Sequence, residues 1–497
     1  MDTRTAYREH LAEMARFASA LALLGWDQHA HMPKKGGAFR AQVTAMLAQM
    51  HFERGVSDDL GRYLDELKAD TSLTEAEAGS VRRIGKEYKR EKAIPPSLIA
   101  EVAAARSESQ QAWAQARQAS DFSVFKPHLE KMVEYARRFA DYYTFDEHPY
   151  DALLDGFEPG MTVKQLGTII DPLRAQTVPF LKRLLDEGTA PASDLLSGSF
   201  DVDVQRKLAH RALEAIGYDF DAGALDDVPH PFTTSIGPDD VRVTNRYAPN
   251  LLGPGLFAAL HEGGHALYNQ GMPGDLFVLG IPGGSSNGIH ESQSRMIENQ
   301  IGRSLPFWTF FQPILARYFP QFADVSADNL FRAANYVSPS FIRVEADEVT
   351  YNFHIMLRFE LEAGLIDGSI RVENLPDLWN EAMERYVGVV PDSDAVGVLQ
   401  DVHWSMGAFG YFPSYMLGNL YAAQMFDTLR KSRPNLDAEI ASGDFSGLLG
   451  WLRENVHQHG AIYEPTELMT RVTGKPLDSS YFVHYIQEKF SEVYQLP

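Results

Sequence analysis

The sequence predicts a mainly helical protein with one small β-sheet. Three observations carry this expectation. Apolar residues recur at three- and four-residue steps along most of the chain. Capping-box tetrads open helices at Thr74 and Thr162. Strand-like alternation is confined to short stretches on either side of an H-E-x-x-H run at 261–265.

Taken in order, Leu11, Met14, Phe17, Ala18 and Leu21 mark the apolar stripe of a first helix. Thr74-Glu75-Ala76-Glu77 has capping-box spacing and starts a helix that runs towards the Pro95-Pro96 break. A long helical block covers roughly 97–145, with Trp113, Phe125, Leu129, Met132 and Phe139 as core positions. Thr162-Val163-Lys164-Gln165 repeats the capping box ahead of Ile169, Leu173 and Leu181. The stretch from Asp240 to Tyr247 alternates apolar and polar residues and reads as a half-buried strand. Asp275-Leu276-Phe277-Val278-Leu279 reads as another strand, so a small sheet beside the H-E-x-x-H helix is expected. Helical patterns resume from about 305. No internal repeat or linker interrupts the chain, and 1–497 is taken as one unit, with two lobes around a groove compatible with it.

Composition narrows the function. Hydrophobic content of 44% and charged content of 23% are ordinary for a soluble globular protein. No apolar run approaches membrane length, so no membrane partner is expected. The start, Met1-Asp2-Thr3-Arg4-Thr5, shows no secretory cleavage signature. A net charge of −22 argues against nucleic acid, because phosphate binding needs basic patches. With zero cysteines there is no disulfide, thiolate nucleophile or Cys-ligated metal, which fits a reducing, cytoplasmic setting.

His261-Glu262-Gly263-Gly264-His265 carries the chemistry. Residues four apart share a helix face, so His261 and His265 can offer imidazole nitrogens to one Zn²⁺. Glu262 then sits where it can take a proton from water at the metal. The alternative is a surface helix that happens to hold two histidines. Catalytic zinc needs a third protein ligand, and the Gly/Pro/Ser-rich passage after His265 leads into a helix bearing Glu291 and Glu298. These carboxylates lie two turns apart on nearly one face, and position does not choose between them. Gly263 and Gly264 each cost about 1 kcal/mol in a helix interior. Either they admit a close neighbour or they are simply tolerated.

Several further motifs appear in order: His230-Pro231-Phe232, the D-x-R-x-T of Asp240 to Thr244, and His290-Glu291-Ser292-Gln293. Ile342-Arg343-Val344-Glu345-Ala346-Asp347 and the G-x-x-Q-D-x-H-W of Gly397 to Trp404 follow. Trp26-Asp27, Met32-Pro33 and Tyr150 to Asp155 extend the set towards the N-terminus. With these the chain resembles the carboxypeptidase Taq family of metal-dependent carboxypeptidases over nearly its whole length. The resemblance implies a helical fold with a deep substrate groove and a homodimer. It implies Glu291 as third metal ligand, with Glu298 in a supporting role. It also implies Arg343 as the partner of a substrate's terminal carboxylate, a pairing for which a guanidinium is chemically suited.

Three further assignments are weaker and have packing alternatives. His403 could donate to the substrate carbonyl or oxyanion, or be a buried structural histidine. Tyr411 and Tyr415 are oxyanion donors or packing aromatics, with Tyr415 preferred. Arg242 and Thr244 are expected on a strand near the cleft, whose edge could pair with an extended peptide. The expected activity is a zinc carboxypeptidase acting on peptides with a free C-terminus, with Co²⁺ or another divalent ion able to substitute. The rivals are a zinc oligopeptidase that cuts internally and a non-catalytic helical protein with a structural metal.

Overall fold

The computed structural model describes residues 2–496. Helix α1, Thr3–Ala30, starts where the Asp2 carboxylate accepts a hydrogen bond from the Thr5 amide at 2.9 Å. Only Tyr7 and Leu11 are buried on it, while Met14, Phe17 and Leu21 are half-buried and Ala18 is exposed. The predicted stripe therefore faces a cleft more than a core. Helix α2, Gly37–Gly55, folds back along α1.

Both capping boxes form, opening helices Glu75–Ala93 and Val163–Glu187. The block expected as one helix over 97–145 is two, Pro96–Ala119 and Phe122–Tyr143. The chain reverses at Ser120, which takes a left-handed φ of 52°, and Asp121 caps the second helix. Of the expected core positions, Phe125, Leu129 and Met132 are buried, whereas Trp113 and Phe139 sit at the margin. One large core runs from Ile94 to Tyr494, and a smaller one under α1 joins Tyr7 and Leu11 to Leu60, Leu64 and Leu67. Among the described residues no helix is long and apolar enough to cross a membrane.

The small sheet is present, with strands β1 (Leu225–Asp227), β2 (Thr233–Gly237) and β3 (Asp240–Asn245) in the order β1-β3-β2. β3 runs parallel to β1 and antiparallel to β2. The second expected strand is not one: Asp275–Val278 is a short helix. Leu276 and Leu279, three apart, both turn into a small core with Ile281 and Ala461. A three-residue spacing is what one helical turn satisfies, and after Pro273-Gly274 no neighbouring strand is there to pair with.

Three further helices, in close contact, build the site. Helix α3, Gly253–Gln270, packs on β2 and β3 and carries the H-E-x-x-H run. Helix α4, Asn287–Arg295, lies between α3 and helix α5, Pro413–Ser432. A methyl group on Gly264 would stand 2.5 Å from the Gln293 carbonyl oxygen and 2.6 Å from Ser294 Cα, and one on Gly418 would collide with the Glu291 side chain. Gly264 therefore sets how closely α4 approaches α3, since a Cβ there would push α4 away.

Candidate active site

His261 and His265 sit one turn apart on α3, and α4 lays Glu291 across them. Glu291 Oε2 is 3.6 Å from His261 Nε2 and 3.4 Å from His265 Nε2. A four-coordinate metal with bonds near 2.0–2.1 Å holds its ligand atoms about 3.3 Å apart, so Glu291 stands from each imidazole at the separation of two ligands on one ion. Among the described residues this trio is the group able to hold a metal ion.

The far side of each imidazole decides which nitrogen is available. His261 Nδ1 lies 2.9 Å from Glu298 Oε2, so Nδ1 keeps the proton and Nε2 presents a lone pair. Glu298 reaches it because α4 widens into a π-helical turn over Met296–Ile301. His290 Nε2 donates to Asn269 Oδ1 at 3.1 Å, which leaves His290 Nδ1 as an acceptor. His265 Nδ1, 2.6 Å away, must then be the donor, and its Nε2 is likewise a lone pair. Glu291 Oε1 is held by Arg295 Nε at 2.7 Å. Burial pushes the Glu291 carboxyl up, but Arg295 and the two imidazoles outweigh it and hold the group well below the usual range. Burial opposes ionisation of Glu298 too, yet His261, Arg295 and Arg303 bring its pKa to about 2. With Nδ1 of each imidazole engaged on its far side, the two Nε2 atoms and the Glu291 carboxylate converge on one point, as a divalent metal requires.

Glu262 is buried beside this trio, and Thr233 on β2 fixes it. The Thr233 hydroxyl lies 2.8 Å from Glu262 Oε2 and 2.9 Å from its carbonyl oxygen, so its single proton goes to Glu262 either way. Thr233 carries no motif signal; only its strand neighbours hint at it.

A second cluster lies beyond the His261 end of α3. Arg295 sits 4.3 Å over the Tyr351 ring, and the Tyr351 hydroxyl accepts from Arg343 Nη1 at 3.0 Å. Arg343 is buried, bonds to Asp401 through Nη2 at 2.8 Å, and lies 4.8 Å from the Tyr415 ring. Arg358, fully buried, holds the other oxygen of Asp401 through Nε at 2.7 Å. Two guanidiniums share one carboxylate, leaving a net positive charge in a buried place. Asp401 and Arg358 stand out only once the chain is folded, since they lie 43 residues apart.

The other three expected residues join this cluster. His403 Nδ1 is 3.9 Å from Asp401, and its ring packs 4.5 Å from that of Phe412. Burial lowers the His403 pKa to about 4, so the ring is neutral at pH 7. Tyr411 and Tyr415 meet edge to face at 5.2 Å. A bracket behind them was not foreseen: Glu362 accepts from Tyr150 at 2.6 Å, Trp404 Nε1 at 2.7 Å and the Gly410 amide at 3.0 Å. It fastens the segment between His403 and Tyr411 from both ends.

Arg242 and Thr244 are not brought to either cluster. They lie on β3, which is the middle strand and has no free edge, so the expected pairing of this strand with a peptide is not available. Arg242 forks onto Asp240 at 2.8 Å for both bonds and stacks 4.1 Å over Trp26. Thr244 is fully buried, exchanging hydrogen bonds with the Phe232 backbone. The outer edge beside the site belongs to β2.

Comparison with known proteins gives the family. Residues 6–490 match the family described as carboxypeptidase Taq (M32) metallopeptidase. Carboxypeptidase 1 of Bacillus subtilis is 40% identical over 488 residues, covering 98% of this chain and 97% of its own length. Thermostable carboxypeptidase 1 of Thermus thermophilus is 40% identical over 512 residues, covering 99% of this chain and 100% of its own length. The solved M32 carboxypeptidase from Deinococcus radiodurans superposes with a TM-score of 0.96 at 37% identity, covering 100% of each chain. The chain therefore belongs to the carboxypeptidase Taq (M32) family and is a metal-dependent carboxypeptidase.

Proposed function

We propose that the enzyme uses zinc held by His261, His265 and Glu291 to release residues one at a time from peptides with a free C-terminus. Two imidazoles and a carboxylate suit zinc, and cobalt would substitute. When bound, the metal supplies positive charge that activates water and polarises the scissile carbonyl. Glu262, aimed by Thr233, takes the proton of the attacking water and passes it to the departing amine. Arg343 pairs with the terminal carboxylate, and neutral His403 or the hydroxyls of Tyr411 and Tyr415 donate to the developing oxyanion.

The observation that carries this reading is the charge of the second cluster. Arg343 and Arg358 have Asp401 as their shared counter-charge, so a substrate carboxylate would complete the neutralisation. An internal peptide bond brings no such charge, which disfavours the oligopeptidase. A buried carboxylate beside the trio, held by a dedicated hydroxyl, has no use in a purely structural metal site.

The test is a matched pair of peptides, free and amidated at the C-terminus, with and without chelator. Glu262→Gln should keep its metal and lose about 10²–10⁴-fold in turnover. Arg343→Ala should lose about 100-fold in kcat/KM on the free peptide and much less on the amidated one. Equal losses on both peptides would remove Arg343 from the anchor role, and turnover retained by metal-loaded Glu262→Gln would remove Glu262 as base.

A homodimer is proposed as well. α2 leaves Phe39 73% exposed, Met46 55% and Met50 41%, an apolar stripe at near-heptad spacing. Phe39→Glu with Met46→Glu should convert a dimer to monomer in light scattering, and a wild-type monomer would exclude it. A cytoplasmic setting is proposed from the absence of cysteine and is checked by cell fractionation.

A further inference from the structure

A cleft of about 420 Å³ opens between α1 and the sheet, within the usual size of a ligand site. Its wall on α1 is one helical face: Leu11, Met14, Ala15, Ala18, Ser19 and Ala22 follow each other at i, i+3, i+4, i+7, i+8 and i+11. Alanines and a serine at the middle of that face leave the space open. Facing them are Ile236 of β2, Met272 and Phe277. The charge at its rim is already paired, since Glu87 meets Arg83 at 2.9 Å.

Where the cleft ends matters more than what lines it. Its floor includes His290 and Asn269, the two residues that orient His265. Asn269 lies one turn beyond His265 on α3, whereas the Arg343 cluster is reached from the His261 side through Glu298, Arg295 and Tyr351. The cleft therefore adjoins the His265 side of the trio, while the Arg343 cluster adjoins Arg295, which binds Glu291 at 2.7 Å and Glu298 at 3.4 Å. One helical turn is about 5.4 Å and an extended residue spans about 3.3 Å, so Asn269, one turn past His265, lies about two extended residues from that ligand.

We propose that this cleft is a side-chain subsite for the first two residues on the N-terminal side of the scissile bond, selecting large apolar side chains. The proposal rests on the reading of Arg343 as the anchor, since that sets the direction of the bound peptide. Burying a Leu or Phe side chain corresponds to about 10- to 100-fold in kcat/KM over glycine. A carboxylate side chain would meet a mostly apolar wall with the Glu87 carboxylate at its rim.

The test measures kcat/KM on free-terminus peptides of fixed last residue, with Gly, Leu, Phe or Asp at each of the two preceding positions. The wild type should prefer Leu and Phe to Gly by at least tenfold at one of them, with Asp poorest. Ala18→Trp, which fills the cleft, should shrink that ratio to within about threefold. A ratio is read because misfolding lowers all substrates alike; Ala15→Trp gives a second filling variant. A flat wild-type profile overturns the proposal. So does a preserved ratio in both folded variants, or a variant that changes selectivity for the last residue only. Failure of the underlying reading shows separately, as equal cleavage of free and amidated peptides by the wild type.

Discussion

Gly264→Ala separates the stability of the fold from the geometry of the metal trio. The added methyl carbon would lie 2.5 Å from the Gln293 carbonyl oxygen, against about 3.4 Å for an ordinary contact. Both clashing groups are backbone of α4, so no side chain can swing aside and α4 must retreat by about 0.9 Å. Glu291 is two residues from Gln293 on that helix and moves with it. Metal–ligand distances tolerate only about 0.2 Å, so such a shift takes the carboxylate out of reach. The fold suffers less: overpacking costs about 1–3 kcal/mol, and replacing a helical glycine returns about 1 kcal/mol. Metal affinity should fall about 100-fold, or roughly 2.7 kcal/mol, with only a small loss of apo-protein stability. Zinc competition against a fluorescent chelator, paired with urea unfolding of the metal-free protein, measures both. Gly263→Ala is the control, because its methyl would meet the ends of the Leu213 and Ile216 side chains, which can turn away. Zinc affinity of Gly264→Ala within threefold of wild type would refute the reasoning.

Other predictions follow from the same contacts. Glu298→Gln keeps the size of the partner of His261 Nδ1 but removes its charge, so zinc affinity should drop about 10- to 100-fold by the same competition assay. Burial raises the carboxyls of both Glu158 and Glu362 from 4.5 to about 7. Between these values the folded protein holds protons that the unfolded chain has released, so stability is full below about pH 4.5 and falls as pH rises to 7, by up to about 3 kcal/mol for each group. Glu158→Gln should flatten that decline in urea unfolding across pH 5–7.5, and an unchanged slope would exclude Glu158 as a source.

Local chemistry settled much of this protein. The capping boxes at Thr74 and Thr162, the helical stripes and the strand from Asp240 depend on neighbours within a few residues, and such patterns are legible in a sequence. The pairing of His261 with His265, and the placing of Glu262 beside them, is equally local, because one helical turn sets it. The fate of Asp275–Val278 was not, since alternation over five residues fits a strand or a helical turn until a neighbour is present. Only the tertiary structure divided the labour of Glu291 and Glu298, which look equivalent along one helix but meet different nitrogens once a π-turn and the Gly264 contact set the approach of α4. Packing also put Arg242 on a middle strand with Asp240, set Arg343 and Arg358 on one Asp401, and aimed Thr233 at Glu262. Periodicity is a property of one segment, whereas these contacts depend on how distant segments meet to within a few tenths of an ångström.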